Sequence, residues 1–147
     1  MQTISKKKRL LALIVFLAYS LIVVTSPVLV DSVGIRIASL SSDTLTVLKV
    51  IALILSIYSL IMAWLIQSGK IQHLFRPRQL YIIRISSEAK PLFYSYLYLI
   101  CPMIYGLFLF FCGMPIAEFY YFAGISVLGA LVLGTYNLSK AKTDVVM

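Results

Sequence analysis

Two ionisable side chains, Lys49 and Glu118, stand within otherwise apolar segments of this chain. An isolated charge inside a membrane span is costly and is by default a candidate functional residue. Each of these charges, however, lies only about one helical turn inside the same boundary, where a lysine stem can reach the headgroup level. We therefore predict a structural ion pair near the outer membrane surface, which Lys49 forms with Glu118 or with Asp43.

A second candidate group consists of tyrosines at helical spacing in the third apolar segment, Tyr94, Tyr98 and Tyr105, with Cys101 on the same face. A phenol buried in lipid needs a hydrogen-bond partner. Serines and Gln67 of the preceding segment can supply one, and so can a quinone, a lipid headgroup or a water-filled lumen. Our interpretation is a bundle-facing aromatic seam, in which Tyr94 and Tyr98 also serve the aromatic belt at the membrane interface.

Residues that commonly carry catalysis or bind metals are sparse. His73 is the only histidine and falls in a polar connector rather than in an apolar segment. Cys101 and Cys112 are separated by about 16 Å of rise if they share one helix, so they cannot form a disulfide with each other. No Cys-x-x-Cys, Walker or Gly-x-Gly-x-x-Gly pattern occurs. We therefore predict no catalytic residue, no cofactor and no metal site, although an enzyme that uses tyrosine or arginine for lipid chemistry stays open.

The elements that must position these residues are long apolar runs. Apolar residues make up 61% of the chain and charged residues 12%, which is far from the balance of a soluble domain. Four runs reach the roughly 20 residues that span a bilayer. They cover residues 10–30, 45–66, 92–111 and 116–138. We predict one all-α membrane domain over residues 1–147, a four-helix bundle of two transmembrane hairpins joined by a cytoplasmic connector at residues 67–91.

The distribution of basic residues predicts the orientation. Of the 13 lysines and arginines, four lie before the first span, five in the connector and two in the C-terminal tail. With four spans these regions share one side, which the positive-inside rule assigns to the cytoplasm. We predict both termini inside, in a multi-pass protein of the bacterial inner (plasma) membrane. The five connector bases form the predicted membrane-surface basic face: Lys70, Arg76, Arg78, Arg84 and Lys90.

The middle of the connector is apolar, with flanking arginines. Such a segment is expected to lie along the membrane surface rather than in solvent. We therefore predict that Tyr81, Ile82 and Ile85 touch lipid headgroups or a neighbouring chain. We attribute the net charge of +8 to the positive-inside rule rather than to nucleic-acid binding, because the basic residues lie next to the ends of the apolar runs.

Small and polar residues recur every three or four positions in the second and fourth spans. Spans in lipid associate through close packing of small residues and through interhelical hydrogen bonds. The predicted helix-packing or pore seam is Ala52, Ser56, Ser59, Ala63, Ser126, Ala130 and Gly134. We interpret it as internal packing, and the alternative is a face for another subunit.

These features favour a small non-catalytic membrane protein that serves as a structural or accessory subunit. Its predicted partners are other membrane subunits or further copies of itself, together with anionic lipids of the inner leaflet. One alternative is a homo-oligomeric ion channel or pore lined by Ser56 and Ser59 or by Tyr98 and Tyr105. A third hypothesis is an enzyme or carrier for a lipid-soluble substrate beside the aromatic third span.

Overall fold

The computed structural model of the chain describes residues 6–34, 39–68, 70 and 90–143, and this part of the chain is helical apart from short connections. The four helices are α1 Lys6–Val33, α2 Ser42–Gln67, α3 Lys90–Phe111 and α4 Ile116–Thr143. All of them are long and apolar enough to cross a membrane. The prediction of four apolar helices is confirmed, and each helix extends at one or both ends beyond the apolar run from which it was predicted. The four helices indicate a multi-pass membrane protein.

The start of α2 is set by a serine cap. Ser41 has extended backbone angles, and its hydroxyl oxygen accepts a hydrogen bond from the amide of Thr44. A side-chain oxygen at this position satisfies one of the open amides of the first helical turn. The sequence alone predicts Asp43 or Thr44 as the cap, because each has a side-chain oxygen that can accept from open amides, but both residues lie inside the first turn.

A tight turn joins α3 to α4. Gly113 has a φ of 107°, a conformation that favours glycine, and the amides of Gly113 and Met114 bond to carbonyls in the last turn of α3. The amide of Leu40, just before α2, donates to the carbonyl of Cys112 at 3.3 Å. The α1–α2 connection and the α3–α4 turn therefore lie at the same end of the bundle, and the helices alternate in direction.

The packing order differs from two side-by-side hairpins. α3 packs against both α2 and α4, while α1 packs against α4 and, less extensively, against α3. Among the described residues α1 and α2 scarcely touch, so they flank the α3–α4 pair on opposite sides. The four residues after α3 keep α4 adjacent, whereas residues 34–41 can extend over more than about 25 Å, well beyond the spacing of packed helices of about 8–10 Å.

The flanking helices are the more exposed ones. In their most apolar windows 22% of α1 and 17% of α2 is buried, against 39% of α3 and 28% of α4. The outward faces carry large apolar side chains that are more than half exposed, among them Leu11, Ile22, Ile54, Tyr121 and Val132. Soluble proteins rarely expose continuous apolar surface of this kind.

Three groups of buried side chains form the core. One joins α1, α3 and α4 to the C-terminal half of α2, and two lie nearer the α3–α4 turn. Their least exposed members are Ala63, Leu99, Met103, Leu109, Phe119, Phe122 and Ala130. The centre of the molecule is therefore the α3–α4 pair, and the polar contacts described next tie α2 to it.

Candidate functional site

An ion pair joins α2 and α4 near their N-terminal ends. The Lys49 ammonium lies 2.7 Å from a carboxylate oxygen of Glu118, with side chains 35% and 24% exposed. Glu118 occupies the first turn of α4, where the helix dipole favours a negative charge. Asp43, the other predicted partner, is exposed in the first turn of α2 and lies within 3.5 Å of the Ser42 hydroxyl. The structure thus pairs Lys49 with Glu118.

A hydrogen bond between buried groups joins α3 and α4 at mid-depth. Ser126 is fully buried, and its hydroxyl donates to the backbone carbonyl of Leu99. An interhelical bond of this kind replaces one that water would provide outside the membrane. Because its acceptor is a main-chain atom, the contact fixes α4 against the α3 backbone.

A third polar contact joins α2 and α3 near the opposite end of the bundle from Glu118. Ser95 is buried, and its hydroxyl donates to the carbonyl of Ala63 at 3.3 Å. The side-chain amide of Gln67 donates in turn to the Ser95 hydroxyl. The three contacts tie α2, α3 and α4 to one another near the α3–α4 turn, at the middle of the helices and near the opposite end of the bundle.

The predicted small-residue seam lies inside a single copy of the chain. Ala52, Ser56, Ser59 and Ala63 are buried on α2, and the two serine hydroxyls bond to carbonyls of their own helix at 2.7 and 2.8 Å. On α4, Ser126, Ala130 and Gly134 are also buried. A Cβ on Gly134 would lie 3.1 Å from side-chain atoms of Leu13, so the seam faces α1 at Gly134.

The predicted aromatic seam lies beside the most buried face of α3. Tyr94, Tyr98 and Tyr105 are half-buried. The phenol of Tyr105 interacts with the side chains of Ser59 and Cys101, so α2 does supply a polar neighbour. Tyr96, the buried tyrosine among the described residues, has its ring centroid 5.3 Å from that of Phe16 on α1.

Sequence reasoning missed Ser95 and Gly106, which lie on the most buried face of α3. An ideal Cβ on Gly106 would lie 2.6 Å from the Cβ of Phe122, so the two helices approach closely there. The two residues are about three helical turns apart and therefore share a face. Their small size is the signal for this face in the sequence. The regular repeat of tyrosines instead indicates the neighbouring face of α3.

An apolar groove of about 610 Å³ runs between α1 and α3. Its lining includes Lys8, Val15, Tyr19, Phe93, Tyr96 and Ile104. Lys8 and Phe93 lie near the starts of α1 and α3, and Tyr19 and Ile104 lie near the middle of these helices. We call this feature the α1–α3 groove. The groove is present because α1 packs more extensively against α4 than against α3.

Part of the predicted basic face falls within the described residues. Lys70 is exposed, and its ammonium lies 4.9 Å from the ring centroid of Trp64. Lys90 begins α3. The other three bases and the apolar middle of the connector lie outside the described residues: Arg76, Arg78, Arg84, Tyr81, Ile82 and Ile85.

Within the described parts of the chain, no three His, Cys, Asp or Glu side chains come together as a metal site would require. Cys101 is half-buried and Cys112 buried, and both are free thiols. Comparisons with protein-family models, curated proteins and solved structures find no match to this chain. Its function must therefore be argued from the contacts themselves.

Proposed function

We propose that this chain is a non-catalytic multi-pass membrane protein that acts as a structural or accessory subunit of a membrane complex. The observation that carries the proposal is the contrast between its interior and its surface. Ser95, Ser126 and the Lys49–Glu118 pair use their polar groups between helices of one copy. The outward faces of the described helices are dominated by large apolar side chains. Such a surface suits contact with lipid and with other spans.

Insertion into a bilayer with the basic end inside is part of the proposal. The end that holds the starts of α1 and α3 carries Lys7, Lys8 and Lys70, and the opposite end carries Asp43 and Glu118. This separation of charge supports a cytoplasmic location for both termini under the positive-inside rule. The bacterial inner membrane is the proposed location.

Cysteine labelling tests the orientation. In a background with Cys101→Ala and Cys112→Ala, we expect Ser42→Cys to react with a membrane-impermeant maleimide on intact cells whose outer membrane is permeable. Lys7→Cys should react only after the inner membrane is opened. The two positions are both exposed in the protein, so each controls for the other. The reverse pattern would show that the basic end faces outward.

Two features support the subunit role over a catalytic one. α1 and α2 sit on opposite flanks of the α3–α4 pair and leave most of their surfaces uncovered. Among the described residues, the buried hydroxyls of Ser95 and Ser126 bond to a neighbouring helix and the other buried serine hydroxyls bond within their own helix, and none of these serines lines the groove. A protein of this build offers two helix faces to neighbours while its own centre stays closed.

A pull-down in mild detergent, with partners identified by mass, tests the subunit role. We expect a definite membrane protein to co-purify in fixed stoichiometry, and the purified chain alone to produce no conductance in planar bilayers. A homo-oligomer without other partners, whose conductance changes in Ser56→Ala and Ser59→Ala variants, would contradict the proposal and favour a pore. A pore lined by these serines requires α2 to turn away from α3, since both are almost fully buried, at 1% and 2% exposure.

A further inference from the structure

The α1–α3 groove has the length of one membrane leaflet. From Lys8 to Tyr19, α1 rises about 16 Å, and α3 rises about 18 Å from Leu92 to Ile104. Half of a typical hydrocarbon core is about 15 Å thick. A single acyl chain from one leaflet therefore matches the groove, whereas a membrane-spanning helix would continue for about twice its length.

The chemistry of the groove changes from one end to the other. Val15, Phe93 and Ile104 give it apolar walls, and the Phe16 and Tyr96 rings, which are tilted against each other with centroids 5.3 Å apart, also line it. Lys8 lines the groove at the end where α1 and α3 begin, and the exposed Lys7 precedes it in sequence. An apolar slot that ends in a cation at headgroup depth complements a lipid with an acyl chain and an anionic headgroup.

We propose that the α1–α3 groove binds an anionic phospholipid of the inner leaflet, with one acyl chain between α1 and α3 and the phosphate at Lys8. This inference rests on the proposed membrane insertion with the basic end inside. It adds a specific site to the general attraction of basic residues for anionic membranes. Bound lipid would fill the space that α1 leaves beside α3 and so complete the bundle on that side.

Fluorescence quenching by brominated lipids tests the site. The chain has one tryptophan, Trp64, which is 42% exposed, and Phe93 at the groove is 40% exposed. The natural protein therefore reports on lipid outside the groove, and a Trp64→Phe, Phe93→Trp variant reports on the groove. Lys70 lies over Trp64, and Lys8 lines the groove together with Phe93. The two reporter positions therefore each have a lysine in their surroundings, but only position 93 lies in the groove.

The vesicles contain four parts phosphatidylcholine and one part phosphatidylglycerol throughout. In one preparation all the phosphatidylglycerol is brominated, and in the other an equal amount of phosphatidylcholine is brominated, so that surface charge is constant. At position 93 we expect a preference for phosphatidylglycerol of about five-fold, which corresponds to the roughly 1 kcal/mol contributed by one base. At Trp64 we expect a clearly smaller preference.

Matched variants locate the headgroup and the chain. Lys8→Gln should abolish the preference at position 93, while Lys7→Gln, which removes the same charge one residue away, should keep most of it. Val15→Phe fills the groove and should reduce quenching there. Val28→Phe, on an exposed part of α1 beyond the groove, should leave quenching unchanged.

The alternative outcomes distinguish failure of the lipid site from failure of membrane insertion. Equal preference at position 93 and at Trp64 would overturn the anionic lipid site while leaving insertion intact. Weak quenching at position 93 by both lipids, with Trp64 quenched normally, would show that another protein segment or a second copy covers the groove, and would also overturn the site. If neither tryptophan is quenched, membrane insertion itself fails, and the site fails with it.

Discussion

Replacing Gly106 with alanine should lower the free energy of unfolding of this protein in detergent by about 2–3 kcal/mol, near the upper end of what overpacking typically costs. The added Cβ would lie 2.6 Å from the Cβ of Phe122 and 3.3 Å from the carbonyl oxygen of Phe119. Both atoms belong to, or are attached directly to, the α4 backbone. No rotamer change can relieve the overlap, so α3 and α4 must separate.

Gly124→Ala is the matched control for this prediction. It also adds one methyl group to a helix interior, but no atom of a neighbouring helix lies within 4 Å of the new Cβ. Because alanine favours helices by about 1 kcal/mol over glycine, this variant should be as stable as the natural protein or slightly more stable. Equal stability of the two variants in equilibrium unfolding would contradict the close approach of α3 and α4 at Gly106.

Removing the carboxylate of Glu118 should have the second largest effect. We expect Glu118→Gln to lower the free energy of unfolding by about 2 kcal/mol, less than the 3–5 kcal/mol for breaking a fully buried pair. The loss is smaller because both side chains keep partial exposure, at 35% and 24%. It remains substantial because the Lys49 ammonium would lose its partner about one turn inside an apolar segment.

Asp43→Asn controls for the effect of charge alone. Asp43 and Glu118 each stand in the first turn of a helix, α2 and α4 respectively, so both variants lose a favourable interaction with the helix dipole. Only Glu118→Gln also breaks a salt bridge. The difference between the two variants, checked by a double-mutant cycle with Lys49→Ala, therefore isolates the pair. A coupling energy near zero would mean that the contact contributes nothing to stability.

Most of the buried face of α2, and a smaller part of that of α4, could be predicted from sequence. In a lipid-facing protein most side chains are apolar on every face, so hydropathy marks the helices but says little about their rotation. Small and polar residues do carry that information, because they are favoured where helices pack closely or exchange hydrogen bonds. The four small residues of α2, from Ala52 to Ala63, occupy one face and are buried.

The rotation of α3 was harder to infer because two signals competed. The tyrosines at positions 94, 98 and 105 form a regular stripe, but all three are only half-buried. Ser95 and Gly106 define the face that approaches the neighbouring helices most closely. Close approach depends on the absence of side-chain volume, which is a weaker pattern in sequence than an aromatic repeat.

The sequence by itself determined that Lys49 and Glu118 lie near the starts of the second and fourth apolar segments, which fall at the same end of the bundle when four helices alternate in direction. Their contact depends on which helices are neighbours, and that was decided by tertiary structure. The short α3–α4 turn forces one pair together, while the longer α1–α2 connection lets α1 pack on α4 and α3 instead of on α2. The α1–α3 groove follows from this arrangement. No pattern within α1 predicts it, because a groove in lipid is formed by the spacing between two apolar faces rather than by the residues of either one.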